Sequence, residues 1–217
     1  MIDLIKEVGR GKRGARDLTY EEALRAAEMI LEGEATDAQI GAFLVAERIK
    51  SETENEIAAF ADALRKRALR RPLPGAVDCA GPYDGRRESF YATLPAAFIL
   101  AASGVPAALH GSRPLPPKWG VTLQDVLAVW GADCASPAGL ERLLRAADET
   151  KVQFVPAELG GPPLARMRGI REQLGLRTVL NTAEKLIRYA DAPYLACGIY
   201  LSRKRPSPRS AAASAGF

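Results

Sequence analysis

Residues 78–120 read DCAGPYDG (78–85), RR (86–87), ESFYATLPAAFILAASG (88–104), VPAA (105–108) and LHGSRPLPPKWG (109–120). A glycine-bearing loop with an acidic residue leads into an apolar helix, predicted over Leu94 to Ser103. A buried strand over Val105 to Leu109 follows, and then a His-Gly-Ser-Arg turn. Glycine lets backbone approach an anion closely, and a helix start presents free N–H groups to it. The segment therefore outlines a phosphate-binding pocket. Strand, loop, helix and strand in that order are also the unit from which parallel sheets are built.

Downstream, the same alternation continues. Capping and spacing predict helices over Thr122 to Trp130, with Asp125 at the third position, and over Pro137 to Ala147. A strand is expected over Val152 to Val155, a helix over Leu164 to Leu174 and a further strand over Thr178 to Leu180. Upstream, Ala76 to Cys79 reads as the strand that feeds the loop. Short apolar runs alternating with helices define an α/β layer with a mostly parallel sheet.

The first third of the chain has another pattern. Thr19-x-x-Glu22, Thr36-x-x-Gln39 and Thr53-x-x-Glu56 each fit a capping box, where a hydroxyl and an acid or amide satisfy orphan backbone N–H groups reciprocally. Ala23, Ala26 and Ile30, then Ile40, Phe43, Leu44 and Ile49, then Ile57, Phe60, Ala61 and Leu64 recur at helical spacing. The links near Gly33 and Ser51 are short, which favours adjacent packing. The expected organisation is a helical domain over 1–70, a linker over 71–75 marked by Pro72, Pro74 and Gly75, an incomplete α/β domain over 76–201, and a tail over 202–217. That tail reads SRKRPSPRSAAASAGF, lacks apolar periodicity and is expected to be disordered. Gly198 to Leu201 offers one more strand just before it, so the chain is expected to be truncated or frameshifted relative to longer relatives.

Composition narrows the function classes. Of 217 residues, 47% are apolar and 26% charged, as in ordinary globular proteins. The longest apolar run, Leu94 to Ala102, is too short to span a membrane, and the first residues lack the apolar stretch of a secretory leader. Cys79, Cys134 and Cys197 are far apart and His110 is the only histidine, which disfavours a zinc site or disulfide framework and points to a cytoplasmic setting. The formal charge of +4 equals the four basic residues of the tail, Arg203, Lys204, Arg205 and Arg209. The body is balanced, which weakens bulk attraction to nucleic acid. The basic run from Arg65 to Arg71 reads either as a solvated helix end or as a nucleic-acid patch, the former being favoured by the helix dipole.

Several separate motifs resemble one family, the anthranilate phosphoribosyltransferases and the related pyrimidine nucleoside phosphorylases (glycosyltransferase family 3). LTYEEALRAAEMILEGEATDAQIGAFLVAERIKSETENEIAAFADALR follows the family's N-terminal sequence, and DCAGPYDG stands where the family has D-x-V-G-T-G-G-D-G. LPAAFILAASGVPAALHGSR stands for S-T-A-A-A-F-V-x-A-A-x-G-V-x-V-x-K-H-G-N-R, and REQLGLRTVLN for R-x-x-L-G-I-R-T-x-F-N. NTAEKL replaces the family's N-L-L-G-P-L, which suggests a divergent branch. The resemblance covers roughly residues 15–201. It implies a helical domain hinged against an α/β domain, a homodimer through the helical part, and no membrane. It also implies a pentosyltransferase of tryptophan biosynthesis. That enzyme moves ribose 5-phosphate from phosphoribosyl pyrophosphate to the amine of anthranilate, assisted by Mg2+.

Carried over residue by residue, the resemblance assigns Gly81, Asp84, Gly85, Ser89, Thr93, His110, Gly111, Ser112 and Lys118 to phosphoribosyl pyrophosphate. Thr93 also matches a magnesium-binding serine, and Gly81, Ser112 and Arg171 are assigned to anthranilate. No residue is assigned as catalytic. Other positions depart from the pattern. Pro82 removes an N–H donor, Tyr83 stands for a glycine, Tyr91 for an asparagine and Leu94 for a threonine. Leu109 replaces a lysine, Val121 a serine, and Pro114, Pro116 and Pro117 replace residues able to offer N–H or O–H groups. The family's acidic pair for magnesium has no visible counterpart, and Asp191 stands alone in a predicted loop. His110 reads as a structural turn residue or as a base. Arg171 reads as a ligand of the acceptor carboxylate or as an exposed charge on a helix. The departures leave a second reading open, a non-catalytic or nucleic-acid-binding relative, and a third, nucleoside phosphorolysis, that no residue selects.

Overall fold

A computed structural model of the chain describes residues 1–198. Five helices come first: α1 (Ile2–Val8), α2 (Gly11–Gly14), α3 (Tyr20–Glu32), α4 (Asp37–Lys50) and α5 (Glu54–Lys66). The three predicted capping boxes are all formed. In the first, Thr19 Oγ1 accepts the Glu22 N–H at 3.2 Å and Glu22 Oε2 accepts the Thr19 N–H at 3.0 Å. Gly33 closes α3 at φ +82°, a conformation that costs other residues a Cβ clash. The inward faces carry Ala26, Ile30, Phe43, Leu44, Phe60 and Leu64, with the rings of Phe43 and Phe60 stacked at 6.2 Å. Burying each such phenyl ring contributes roughly 2–3 kcal/mol of transfer free energy. Ile49 departs from its expected place. It is exposed on α4, and Glu47 is buried on that helix instead. The α1 helix has no capping signal in the sequence, although Leu4 and Val8 show the i, i+4 spacing of its buried stripe.

The chain then enters β1 (Val77–Ala80), followed by α6 (Thr93–Ala102), β2 (Ala107–Gly111), α7 (Leu123–Val129), α8 (Pro137–Thr150) and β3 (Val152–Pro156). Short helices α9 (Ala157–Gly160), α10 (Pro162–Arg166), α11 (Arg168–Leu174) and α12 (Leu180–Ala183) precede β4 (Tyr194–Cys197). The four described strands form one parallel sheet in the order β3-β2-β1-β4.

Three expectations are corrected here. His110 and Gly111 are not in a turn. They are the last residues of β2, because pairing with β3 runs on to His110↔Val155 and Gly111↔Pro156. Leu164 to Leu174 is not one helix, since the path is interrupted at Met167 between α10 and α11. Thr178 to Leu180 is not a strand. The Asn181 side chain accepts the Thr178 N–H at 2.9 Å, a local bond that starts α12 instead. The last described strand, β4, lies at Tyr194–Cys197, where the sequence reading placed none. Gly198 is irregular, and 199–201 and the tail lie outside the described residues.

Alternation along the strands gives the sheet two unlike faces. Cys79, Ala107, Leu109, Val152 and Phe154 pack with α6 and α7 in one apolar core. The opposite face buries Asp78, His110 and Gln153. Beyond it lies a second core, which runs from helices α1, α3, α4 and α5 through Tyr83, Leu115 and Val155 to Leu180, Ile187 and Tyr189. The segment after α5 is bonded to this core. The N–H groups of Leu69, Arg71 and Leu73 donate to the carbonyls of Gly160, Tyr189 and Ala190. Among the described residues no helix is long and apolar enough to cross a membrane. Cys79, Cys134 and Cys197 are free thiols, and burial pushes that of Cys134 up to about 11.

Candidate active site at the carboxyl edge of the sheet

The strand order reverses at β1. After β1 the chain steps outward to β2 and β3, then returns to the other side of β1. In open parallel sheets, ligands bind beyond the carboxyl ends of the strands at such a reversal. The loops that leave those ends are the ones the sequence singled out, beginning at Gly81 and Ser112, together with Ala157 and Glu158 after β3. They frame two clefts that share Ser112.

The first cleft brings together Gly81, Pro82, Thr93, His110, Gly111 and Ser112, with Tyr91 and Thr122 on its wall. It is rich in hydroxyls, but several are already engaged. The Tyr91 O–H donates to the Pro82 carbonyl at 3.3 Å, and the Thr122 O–H to Asp125 Oδ2 at 2.9 Å. Thr93 is the first residue of α6 and lines the cleft, yet few N–H groups reach past it. The Leu94 N–H is bonded to the Tyr91 carbonyl at 3.3 Å, and Pro95 has none. A cation not foreseen in the sequence stacks on the Tyr91 ring of this wall. The Arg86 guanidinium lies 5.1 Å from the centroid of the Tyr91 ring, and its Nε is buried without a hydrogen-bond partner. Arg86 also donates to Ser89 Oγ at 3.1 Å, which places exposed Ser89 beside the cleft and not in it.

His110 projects to the polar face of the sheet. Its Nδ1 lies 2.6 Å from the Tyr83 hydroxyl, and its Nε2 lies 3.2 Å from Asp78 Oδ1. The second contact has ion-pair distance but not hydrogen-bond direction, and both Asp78 oxygens lack a hydrogen-bond partner. Burial pushes the Tyr83 hydroxyl well above its ordinary range and keeps it protonated. We assign the tautomer from these partners: Tyr83 donates to Nδ1, and the Nε2 proton faces Asp78.

Asp84 binds other loops. Its Oδ2 takes two bonds from Arg177, at 2.5 Å and 3.2 Å, and Lys118 Nζ lies 3.8 Å from its Oδ1. The Asp84 carbonyl accepts the Gly120 N–H at 3.1 Å. Gly85 at φ +77° lets the backbone pass so close that a Cβ would stand 2.3 Å from the Gly120 carbonyl oxygen. Asp84, Gly85 and Lys118 thus fasten the two loops to each other and to Arg177.

The second cleft lies among Tyr83, Ser112, Leu115, Glu158, Arg168 and Arg171. Arg171 is not an exposed helix charge. It is buried and bidentate to Glu184, at 2.7 Å and 3.1 Å. Burial pushes the Glu184 carboxyl up from its ordinary value, against the pull of Arg171. Glu158 Oε1 accepts bonds from Ser112 Oγ at 3.0 Å, the Arg113 N–H at 3.0 Å and Arg168 at 3.2 Å. Only the motif residues Ser112 and Arg171 were foreseen at this cleft. Glu158 and Glu184 carry no spacing signal, because their partners are brought to them by the fold.

The run Arg65 to Arg71 begins in the last turn of α5, with Lys66 and Arg70 exposed, and its charges are also paired. Arg65 donates to the Leu186 and Ile187 carbonyls, Lys66 and Arg67 pair with Glu28 and Glu32, Arg70 pairs with Asp191 and Arg71 with Asp148. Asp191, expected alone, is thus held by Arg70. These charges join the helices to the rest of the chain and leave little free for a polyanion.

A helical bundle followed by an α/β domain with a parallel sheet is the architecture of one class of glycosyl transferase, and the chain belongs to that glycosyl transferase family. Residues 2–68 match the family's helical bundle domain and 74–212 its a/b domain. The chain is 37% identical over 186 residues to an anthranilate phosphoribosyltransferase of Desulfitobacterium hafniense, covering 85% of this chain and 54% of that one. To the enzyme of that name from Anaeromyxobacter sp. it is 38% identical over 192 residues, 88% of this chain and 56% of the other. The crystal structure of anthranilate phosphoribosyltransferase from Thermus thermophilus superposes with a TM-score of 0.73 at 29% identity, over 89% of this chain and 57% of that one. The Saccharomyces cerevisiae enzyme in complex with PRPP and Mg shares the fold, with a TM-score of 0.66 at 18% identity, over 84% of this chain and 53% of the other. The chain spans about half the length of the curated relatives it matches.

Proposed function

We propose that the chain carries the donor and acceptor clefts of a phosphoribosyl transfer. In that reaction the bond from ribose C1 to pyrophosphate breaks and an aromatic amine nitrogen takes its place, with the nitrogen proton passing to solvent. The relatives named above are anthranilate phosphoribosyltransferases, which supports a role in tryptophan biosynthesis. The observation that carries this reading is the strand reversal at β1, which sets the glycine loop, the His-Gly-Ser segment and Arg171 around two adjoining clefts.

In this reading the first cleft takes the donor. Gly81 and Gly111 allow close approach, Thr93 offers a hydroxyl, and Arg86, stacked on the Tyr91 ring that lines the cleft, is the cation within reach of the leaving pyrophosphate where Leu109 offers none. Lys118 adds charge from its place beside Asp84. The residues present do not by themselves make a magnesium site. Thr93 is a single oxygen donor, Asp84 is engaged by cations, and no three acidic or metal-binding side chains gather among the described residues. Mg2+ would have to be held mainly by the oxygens of the diphosphate itself. The expected pairing of two chains through the helices finds support in Ile2 and Ile49, exposed on α1 and α4. The three free thiols suit the reducing cytoplasm.

The test is acceptor-neutral. Phosphoribosyl pyrophosphate with Mg2+ is titrated into the chain, and pyrophosphate release is then followed with a panel of aromatic amines that includes anthranilate. Saturable donor binding weakened by Arg86→Ala, with release that depends on an amine, is the expected result. An absence of donor binding ends the proposal.

A further inference from the structure

The cations around the second cleft are not equally free. Arg171 is the motif residue expected to meet the acceptor carboxylate, but both terminal nitrogens of its guanidinium are bonded to Glu184, and both side chains are buried. Arg168 donates to the Pro114 carbonyl at 2.6 Å and pairs with Glu172 at 2.7 Å and Glu158 at 3.2 Å. Arg113, next to Ser112 in the chain, differs. Its side chain is exposed, its Nε lies 3.8 Å from Glu158 Oε1, and its guanidinium makes no hydrogen bond among the described residues. A guanidinium presents a planar fork of N–H donors that fits a carboxylate. Glu158, on the cleft wall, supplies the complementary atom. Its Oε1 is held by Ser112 Oγ, by the Arg113 N–H and by Arg168, whereas its Oε2 is buried without a hydrogen-bond partner. One open cation and one open acceptor thus stand side by side at this cleft.

We propose that Arg113 binds the acceptor's carboxylate in place of Arg171, and that Glu158 Oε2 accepts the acceptor's amine N–H. The proposal rests on the reading of this cleft as the acceptor side. The Arg113 guanidinium lies beside the same carboxylate that presents Oε2, so both contacts are made together best when amine and carboxylate are neighbours on the ring. An acceptor with its carboxylate across the ring leaves one of the two contacts unmade. Arg171 and Glu184 act as a closed internal pair that shapes the wall.

Titration calorimetry on the full chain compares anthranilate with 4-aminobenzoate, whose carboxylate lies across the ring, and with aniline, which has none. Anthranilate is expected to bind at least roughly tenfold more tightly than either, the effect of one hydrogen bond to a charged group. Arg113→Ala is expected to weaken anthranilate by about tenfold or more and to leave aniline within about threefold. In Glu158→Gln the amide oxygen stays with the three donors at Oε1, which puts its NH2 group where the amine would donate. Anthranilate and aniline are then both expected to weaken by about tenfold. Four results would overturn the proposal: no binding of anthranilate or aniline to the parent chain, 4-aminobenzoate bound as tightly as anthranilate, Arg113→Ala with no effect on anthranilate or an equal effect on aniline, or aniline binding unchanged in Glu158→Gln. Donor binding measured alone reports on the transferase reading separately, because it needs no acceptor.

Discussion

In the helical half, Glu56 accepts the Leu18 N–H, the Thr53 N–H and the Lys50 ammonium, all at 2.7 Å, and Glu47 lies buried 3.7 Å from the same ammonium with neither oxygen hydrogen-bonded. Beneath the edge of the sheet, Arg171 and Glu184 form a closed one-to-one pair. The first cluster is drawn mainly from consecutive helices and gathers three carboxylates, Asp17, Glu47 and Glu56, around the one ammonium. The second joins separate helices and balances. A balanced buried pair is fragile to the loss of one partner, whereas an overfull cluster gains when a charge is removed.

The largest effect expected is at the pair. Arg171→Ala leaves the Glu184 carboxylate buried without its partner and should cost about 3–5 kcal/mol in chemical denaturation, while the double variant Arg171→Met/Glu184→Met, which removes both charges, should cost little. A result in which the single and double changes cost the same would erase the contrast.

Next comes Gly85→Ala. A Cβ at φ +77°, 2.3 Å from the Gly120 carbonyl oxygen, forces the two loops apart. A loss of about 2–3 kcal/mol is expected, seen as a fall in Tm together with weaker donor binding. Ordinary stability in this variant would show that the loops are not fastened at that point.

The overfull cluster makes the opposite prediction. Burial first, and the charge of Glu56 second, push the Glu47 carboxyl up from 4.5 to about 8. The folded state therefore holds this proton more tightly than the unfolded chain does. Its contribution is complete below about pH 4.5 and is lost as pH rises to about 8. Glu47→Gln, a neutral mimic of the protonated acid, should leave stability at about pH 4 nearly unchanged. At about pH 9 it should raise stability by on the order of 2 kcal/mol. Urea midpoints at the two pH values decide; equal shifts at both would remove the titration from the account.

The smallest effect belongs to the caps. Thr36→Ala deletes the hydroxyl that accepts the Gln39 N–H at 3.3 Å. It should cost about 1 kcal/mol, far less than Arg171→Ala. A cost as large as that of the buried pair, read from the same denaturation curves, would mean that the helical half depends on its ends more than on its core.

These contrasts also explain what could be read from the sequence. Thr19, Thr36, Thr53 and Thr122 sit three residues from their partners, so their boxes are visible in the chain and all four form. The parallel sheet was legible because its strands are short apolar runs between helices. The partners of Asp84 and Glu158 were not, since Arg177 and Ser112 are 93 and 46 residues away. The place of His110 at the end of β2 depends on register with β3, which spacing alone does not reveal. Gly81, Thr93, His110, Gly111 and Ser112 do meet at one cleft. Whether the charges around them are free is a property of contacts, and Arg171 shows how a motif residue can be present and already occupied.

The return of β4 to β1 has a consequence in time. Val77 to Ala80 pairs on one side with Tyr194 to Cys197, so the inner strand of the sheet is completed by almost the last residues to leave the ribosome among those described. Until then β1 has one open edge, and the loop that follows it, with Gly81 and Asp84, is supported on one side only. Pairing across so long a stretch is slow compared with the closing of a helix. The helices α3 to α5 can therefore form early, while the carboxyl edge that bears both clefts takes its final shape last.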